Sequence, residues 1–163
     1  MGREVRIVPP GWEHPKDENG KFIPLLGGSF REAMEQWKTG KAQWDKGLRI
    51  NWGKAGGWIE HNEKCTWEEW AGSCPDESDY MPLFDPEAAT RLCMYETCSE
   101  GTPISPLFET PEELARWLAD TGASAFGSMT ATYEAWLATV RAGWAPSMIV
   151  RGNGLEPGVG IHI

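Results

Sequence analysis

Apolar residues recur at helical spacing in three parts of the chain, and each part opens with the same capping signal. Residues 29–32, 66–69 and 110–113 begin with Ser or Thr and end with Glu, the capping-box arrangement that satisfies first-turn N–H groups. They predict a helix that begins near Phe30, a short helix that carries two tryptophans, and a helix with proline at its first position. Gly40 is expected to be the weak point or the end of the first helix.

A fourth helix and several strands complete this pattern. Residues 131–141 predict a helix, and residues 85–87 predict a brief helix before a strand at 92–97. Apolar, β-branched segments at 147–151 and 159–163 flank a Gly-Asn-Gly turn, which predicts a terminal hairpin.

The whole pattern predicts an α+β fold, a single small domain in which a few helices pack on a short antiparallel sheet. Glycines and aromatic residues over 47–64 indicate further short strands and turns. No internal repeat or low-complexity linker divides residues 1–163. Residues 1–28 are rich in proline and glycine, so we expect a turn-rich N-terminal arm in which Val5 and Ile7 can add short strands.

The four cysteines lie in one region, residues 61–98. They are Cys65, Cys74, Cys93 and Cys98, with His61 just upstream. The sequence shows no secretory signal and no membrane-spanning apolar run, so we expect a soluble cytoplasmic protein, where disulfides do not persist. Structural zinc takes four Cys or His ligands, and these residues predict a zinc clamp in which His61 can replace one thiolate. The alternatives are four free cysteines that pack as small apolar side chains, or an open catalytic metal site.

Charge is unevenly distributed along a chain whose net charge is −9. Residues 60–120 hold fifteen acidic and three basic side chains, whereas residues 1–59 hold seven and ten. A region this acidic repels the nucleic acid backbone and attracts basic surfaces. We therefore expect a basic protein partner and no direct binding to nucleic acid, with a merely solvated face as the alternative.

Tryptophan is the most over-represented residue, with ten copies in 163 residues. Each indole offers a large apolar area and one N–H group. Most are expected in the core, and the alternative is that a few are exposed as anchors of a protein interface.

Several segments resemble a family of small proteins that tailed phages and prophages encode. They are residues 8–17, 94–106, 110–120, 123–127, 133–137 and 144–147. The family has no general catalytic assignment. Small phage proteins without an enzyme motif include inhibitors of host defence, among them type II anti-CRISPR proteins, some of which contain metal. The resemblance implies a protein that acts in the cytoplasm of an infected or lysogenic bacterium, with a type II CRISPR effector nuclease as the expected partner.

These observations together predict a non-enzymatic inhibitor that blocks nucleic-acid engagement by its target, with zinc holding the acidic region in shape. The histidines are His14, His61 and His162, and no hydrolase, zincin or phosphate-loop motif accompanies them. One alternative is a virion or morphogenesis protein. A further alternative is a metal-dependent enzyme, since His61 and Glu63 match the first half of the zinc-deaminase signature, although the second half is missing.

Overall fold

The computed structural model describes residues 2–53, 56–98, 101–151 and 154–161. It has the predicted α+β fold, in which helices pack on short antiparallel sheets. Two compact units are present: residues 26–81 form the small unit, and residues 1–25 with 82–163 form the large unit. No helix within the described ranges is both long and apolar enough to cross a lipid bilayer.

The elements follow one another in this order along the chain. The strands are β1 Gly2–Val8, β2 Leu48–Ile50, β3 Trp58–Glu60, β4 Arg91–Glu96, β5 Thr102–Pro103, β6 Trp144–Pro146, β7 Met148–Arg151 and β8 Gly154–Pro157. The helices are α1 Phe30–Trp44, α2 Trp67–Ala71, α3 Pro111–Asp120 and α4 Tyr133–Ala142.

Strand β1 is an interior strand of the large unit's four-stranded sheet, whose order is β5-β4-β1-β6. It pairs with β4 along most of its length and with β6 at its start, both antiparallel. Val5 and Ile7 alternate with charged residues, a pattern that suits a strand. The predicted arm over residues 1–28 is therefore shorter than expected, because residues 2–8 belong to the sheet and the turns begin at Pro9.

Helices α3 and α4 cover one face of this sheet. In α3 the predicted capping box is complete, since Thr110 and Glu113 each accept the other's backbone N–H. Helix α4 begins after the N-cap Thr132 and ends at Gly143, whose φ of 86° is left-handed. The core beneath them is formed by buried apolar side chains: Met94, Leu114, Ala115, Leu118, Ala125, Trp136, Val140, Ala145 and Val159.

The turn-rich residues 9–25 cross the opposite face of the sheet. Successive strand residues point to opposite faces, so Met94 lies under the helices while Tyr95 faces the arm. The Tyr95 hydroxyl is hydrogen-bonded to Trp12 and His14 of the arm. The sheet is thereby covered on both faces, and the arm is a packed layer of the large unit.

The terminal hairpin forms, but its second strand lies earlier than predicted. Arg151 of β7 is opposite Gly154 of β8, where the return strand begins. The strand predicted at 159–163 is wrong within the described residues, because β8 ends at Pro157 and residues 159–160 form a turn. Residues 162 and 163 lie outside the described ranges.

The brief helix predicted at residues 85–87 is a single turn. The Asp85 carboxylate accepts the N–H of Glu87 at 3.0 Å, and the Asp85 carbonyl accepts that of Ala89 at 2.9 Å. The turn does not extend into a longer helix, because the chain enters strand β4 at Arg91.

In the small unit, α1 packs against α2 and β2 through aromatic side chains. The predicted caps form at both helices: Ser29 accepts the N–H of Glu32 at 3.3 Å, and α2 has a complete capping box. Four indoles cluster between the helices, each ring centroid within 6.2 Å of another. These are Trp37, Trp44, Trp67 and Trp70.

Helix α1 continues through Gly40, which makes this glycine a packing residue rather than the helix end. A Gly to Ala change inside a helix normally stabilises it by about 1 kcal/mol. At position 40, however, the added Cβ would overlap the six-membered ring of Trp67. We expect Gly40→Ala to lower the free energy of unfolding by about 1–3 kcal/mol, as measured by urea denaturation. Thr39→Ala, at the exposed neighbouring position, is the control and should not destabilise; a stabilised Gly40→Ala variant would contradict the packing role.

Candidate functional site

The five predicted metal ligands are divided between the two units. Cys65, Cys74 and His61 belong to the small unit, whereas Cys93 and Cys98 belong to the large unit. All four cysteines are free thiols. Among the residues that the structure describes, no group of three or more His, Cys, Asp or Glu side chains is arranged to hold a metal ion.

Cys93 has the environment of a packed thiol. It is buried on β4, and its Sγ lies 3.2 Å from the carbonyl oxygen of Ser105, to which the thiol donates. Burial raises the pKa of Cys93 to about 11.

The remaining cysteines are more accessible. Cys74 is exposed with its Sγ 3.8 Å from Met34 Sδ, and Cys98 is exposed with its Sγ 3.0 Å from Ser147 Oγ. Cys65 is partly buried. The structural zinc clamp stays a prediction of the sequence, and metal analysis of protein purified without added zinc would test it.

His61 is held by an aromatic neighbour. Its ring stacks on Trp44, with centroids 3.8 Å apart and an interplanar angle of 26°. Its Nδ1 accepts the backbone N–H of Glu63 at 3.2 Å. The stacked ring and the engaged Nδ1 give His61 a structural role at the edge of the indole cluster.

An exposed acidic segment, residues 60–79, follows β3 in the small unit. Its carboxylates are all exposed: Glu60, Glu63, Glu68, Glu69, Asp76, Glu77 and Asp79. The segment has a single basic residue, Lys64. None of these seven carboxylates forms an ion pair with a described residue, whereas carboxylates elsewhere, such as Glu109 and Glu112, are paired with arginines.

Local structure explains why carboxylates suit this segment. Helix α2 and the 3-10 turn at Glu77–Asp79 both begin within it, and helix N-termini favour carboxylates. Hydrogen bonds from Thr66 lower the pKa of Glu69, and hydrogen bonds from Ser78 lower the pKa of Asp76. These hydrogen bonds favour the ionised forms of Glu69 and Asp76.

Three of the ten tryptophans are exposed, which is the alternative that the sequence left open beside burial in the core. Trp52 is 78% exposed, Trp144 is 57% exposed and Trp58 is 38% exposed. Trp52 and Trp58 belong to the β2–β3 hairpin, from which the acidic segment continues. The sequence did not distinguish these three from the indoles of the core.

The large unit contains a buried polar cluster that the sequence did not predict. It is formed by Arg6, Trp12, His14 and Tyr95. His14 Nε2 lies 2.6 Å from the carbonyl oxygen of Ile23, which can only accept, so Nε2 carries the ring proton. His14 Nδ1 then accepts from the Tyr95 hydroxyl, which itself accepts from the Trp12 N–H, both at 3.2 Å. His14 and Tyr95 are 81 residues apart, so no local signal could have revealed their contact.

Arg6 completes this cluster. Its guanidinium lies 4.3 Å from the centroid of the Tyr95 ring, and it donates to the Leu25 carbonyl at 2.8 Å and to Glu4 at 2.9 Å. Burial raises the pKa of Tyr95 to about 12 and lowers the pKa of His14. A shallow cleft of about 530 Å³ lies beside His14 and Phe22, but both ring nitrogens of His14 are already engaged in holding the arm.

Comparisons of the chain with family models, with characterised proteins and with solved structures found no match.

Proposed function

We propose that this protein is a non-enzymatic inhibitor that binds a basic, nucleic-acid-handling surface of a host protein through its acidic segment. The observation that carries the proposal is the set of seven exposed carboxylates without an ion-pair partner among the described residues. Such a segment attracts Lys and Arg side chains and repels phosphates. Because the sequence resembles small phage proteins, we take the partner to be a host defence nuclease, a type II CRISPR effector.

The inhibition would be steric and electrostatic. Carboxylates that occupy arginines and lysines of a nucleic-acid groove leave no positive charge for the backbone of the target DNA. Charge complementarity also accelerates encounter, and salt weakens this effect. Inhibition is therefore expected to weaken as ionic strength rises.

Four titratable side chains have structural roles, and for these four this supports binding over catalysis. His14 and His61 hold aromatic neighbours in place. Glu112 is paired with Arg141 at 2.7 Å, and Glu113 closes the capping box of α3. Each of these side chains has a structural partner that accounts for its position.

Charge reversal in the acidic segment tests the proposal. The variant Glu63→Lys, Glu77→Lys, Asp79→Lys alters exposed carboxylates that cap no helix. We expect its affinity for a purified type II effector with its guide RNA to fall by about 100-fold or more, with a matching loss of protection against DNA cleavage. Affinity is measured by biolayer interferometry at two salt concentrations.

The matched control carries the same number of reversals in the large unit: Glu18→Lys, Glu87→Lys, Asp120→Lys, all at exposed positions. It should bind the effector nearly as the native chain does. Equal losses in both variants would show that only net charge matters, and full inhibition by the first variant would refute the proposal.

A virion or morphogenesis role is the second candidate, and one observation favours it. Val150 and Leu155 are directly opposite each other on the β7–β8 hairpin and are 73% and 55% exposed. Exposed apolar pairs of this kind suit self-assembly. Symmetric association in sedimentation experiments, without affinity for the effector, would favour this candidate over the inhibitor.

A further inference from the structure

The β2–β3 hairpin carries two exposed indoles, those of Trp52 and Trp58. Asn51 accepts the N–H of Gly53 through its side chain at 2.9 Å, and its own N–H donates to the Gly57 carbonyl at 2.9 Å. These bonds define the backbone on both sides of Trp52. The indole of Trp52 is 78% exposed to solvent.

The two faces of this hairpin differ in chemistry. Ile50 is opposite Trp58, and Leu48 is opposite Glu60, so these four residues share one face. Arg49 and Ile59 form the other face. The charged residue on the face of Trp58 is thus an acid.

These indoles differ from those of the small unit's core. Trp37, Trp44, Trp67 and Trp70 lie against one another, whereas the rings of Trp52 and Trp58 make no aromatic or cation–π contact with a described residue. Their indole N–H groups also donate to no described residue. An exposed tryptophan is the kind of side chain that most often supplies binding energy in protein interfaces.

From this arrangement we infer that the β2–β3 hairpin is the anchor of the interface, with Trp52 and Trp58 entering an apolar pocket on a basic protein partner. This inference rests on the proposed function. It names the contact that gives the protein its affinity for the partner. Charge indicates that the partner is basic. Glu60, on the same face as Trp58, ends β3, and the acidic segment continues from it. Nucleic acid would be repelled by this segment, and a second copy would bring the same net charge of −9.

The acidic segment and the hairpin have distinct roles in this interface. Exposed charges mainly accelerate encounter and choose the partner, whereas buried aromatic anchors mainly slow dissociation. Removal of an anchor should therefore raise the dissociation rate and leave the association rate and its salt dependence unchanged. Charge reversal should act chiefly on association.

The test compares Trp52→Ala, Trp58→Ala and the double variant with the native chain, using a purified type II effector with its guide RNA as the probe. Each single change is expected to weaken binding by about 10- to 30-fold, through faster dissociation. The exposed Trp144→Ala, in the large unit, is the matched control and should bind as the native chain does. Circular dichroism and thermal midpoints establish that the variants fold.

Each outcome decides between the two proposals. If charge reversal abolishes binding while Trp52→Ala and Trp58→Ala bind normally, the anchor is refuted and the proposed function stands. If the native chain does not bind the effector at all, both are refuted. Self-association of the native chain that is lost in Trp52→Ala would replace the basic partner with a second copy, and binding to DNA that depends on Trp52 would replace it with nucleic acid.

Discussion

Replacement of Trp136 by alanine is expected to lower the free energy of unfolding by about 3–5 kcal/mol. Trp136 on α4 is fully buried in the core between the helices and the sheet of the large unit. Its removal would leave a cavity the size of an indole, because the close-packed neighbours can collapse only in part. Urea denaturation followed by far-ultraviolet circular dichroism measures the loss without depending on tryptophan fluorescence.

Two further variants separate the packing of Trp136 from other contributions to the free energy of unfolding. The indole N–H of Trp136 is buried without a hydrogen-bond partner among the described residues. Trp136→Phe therefore removes an unpaired polar group along with part of the ring. We expect it to lower the free energy of unfolding much less than Trp136→Ala does. Trp144→Ala, at a 57% exposed position, should change stability by less than about 0.5 kcal/mol. Equal stability of the two alanine variants would contradict the assignment of the core.

Replacement of His14 by alanine is expected to cost about 3 kcal/mol, because it leaves the Ile23 carbonyl and the Tyr95 hydroxyl proton unpaired beneath the arm. The ring also packs edge-on against Phe22 and lies close to Tyr95, with centroids 5.5 Å away in both cases. Its loss should loosen residues 9–25 before the rest of the large unit unfolds. Hydrogen exchange of the Ile23 amide, which is bonded to the Pro15 carbonyl at 3.0 Å, reports this local opening. An unchanged exchange rate of the Ile23 amide in His14→Ala would contradict the role of His14 in holding the arm.

The same residue is expected to make stability depend on pH. Burial is the main cause that lowers the pKa of His14 below its ordinary value of 6.5, and the nearby Arg6 guanidinium adds to it, although the bond to Ile23 acts in the opposite direction. A lowered pKa means that the unfolded chain takes up the proton more readily than the folded protein. The contribution of His14 is therefore complete above pH 6.5 and is lost as the pH falls from 6.5 through the pKa of the folded state.

His14→Phe provides the comparison, since it retains a planar ring that does not titrate. The difference in unfolding free energy between the native chain and this variant should shrink as the pH falls below 6.5. His61→Phe is the matched control, because His61 stacks on Trp44 outside the buried polar cluster, and it should keep the pH dependence of His14. Parallel pH profiles for the native chain and His14→Phe would contradict the neutral, buried imidazole.

The candidate site was only partly visible in the sequence. Counting charges located the acidic segment, but its exposure and its lack of ion pairs depend on where the arginines and lysines of the fold lie. The same limit applies to the cysteines. They are close in sequence, but Cys65 belongs to the small unit and Cys93 to the large unit, and the zinc clamp stays a prediction.

Local chemistry alone determined the helices and the fold class. The caps at Ser29, Thr66 and Thr110 join atoms only three residues apart, so the sequence specifies them without reference to the rest of the chain. Only the tertiary structure decided which residues those helices cover. The place of β1 inside the sheet, the arm held by His14 and Tyr95, and the exposure of Trp52 rather than Trp44 all depend on contacts between distant segments, whose pairing no local pattern encodes.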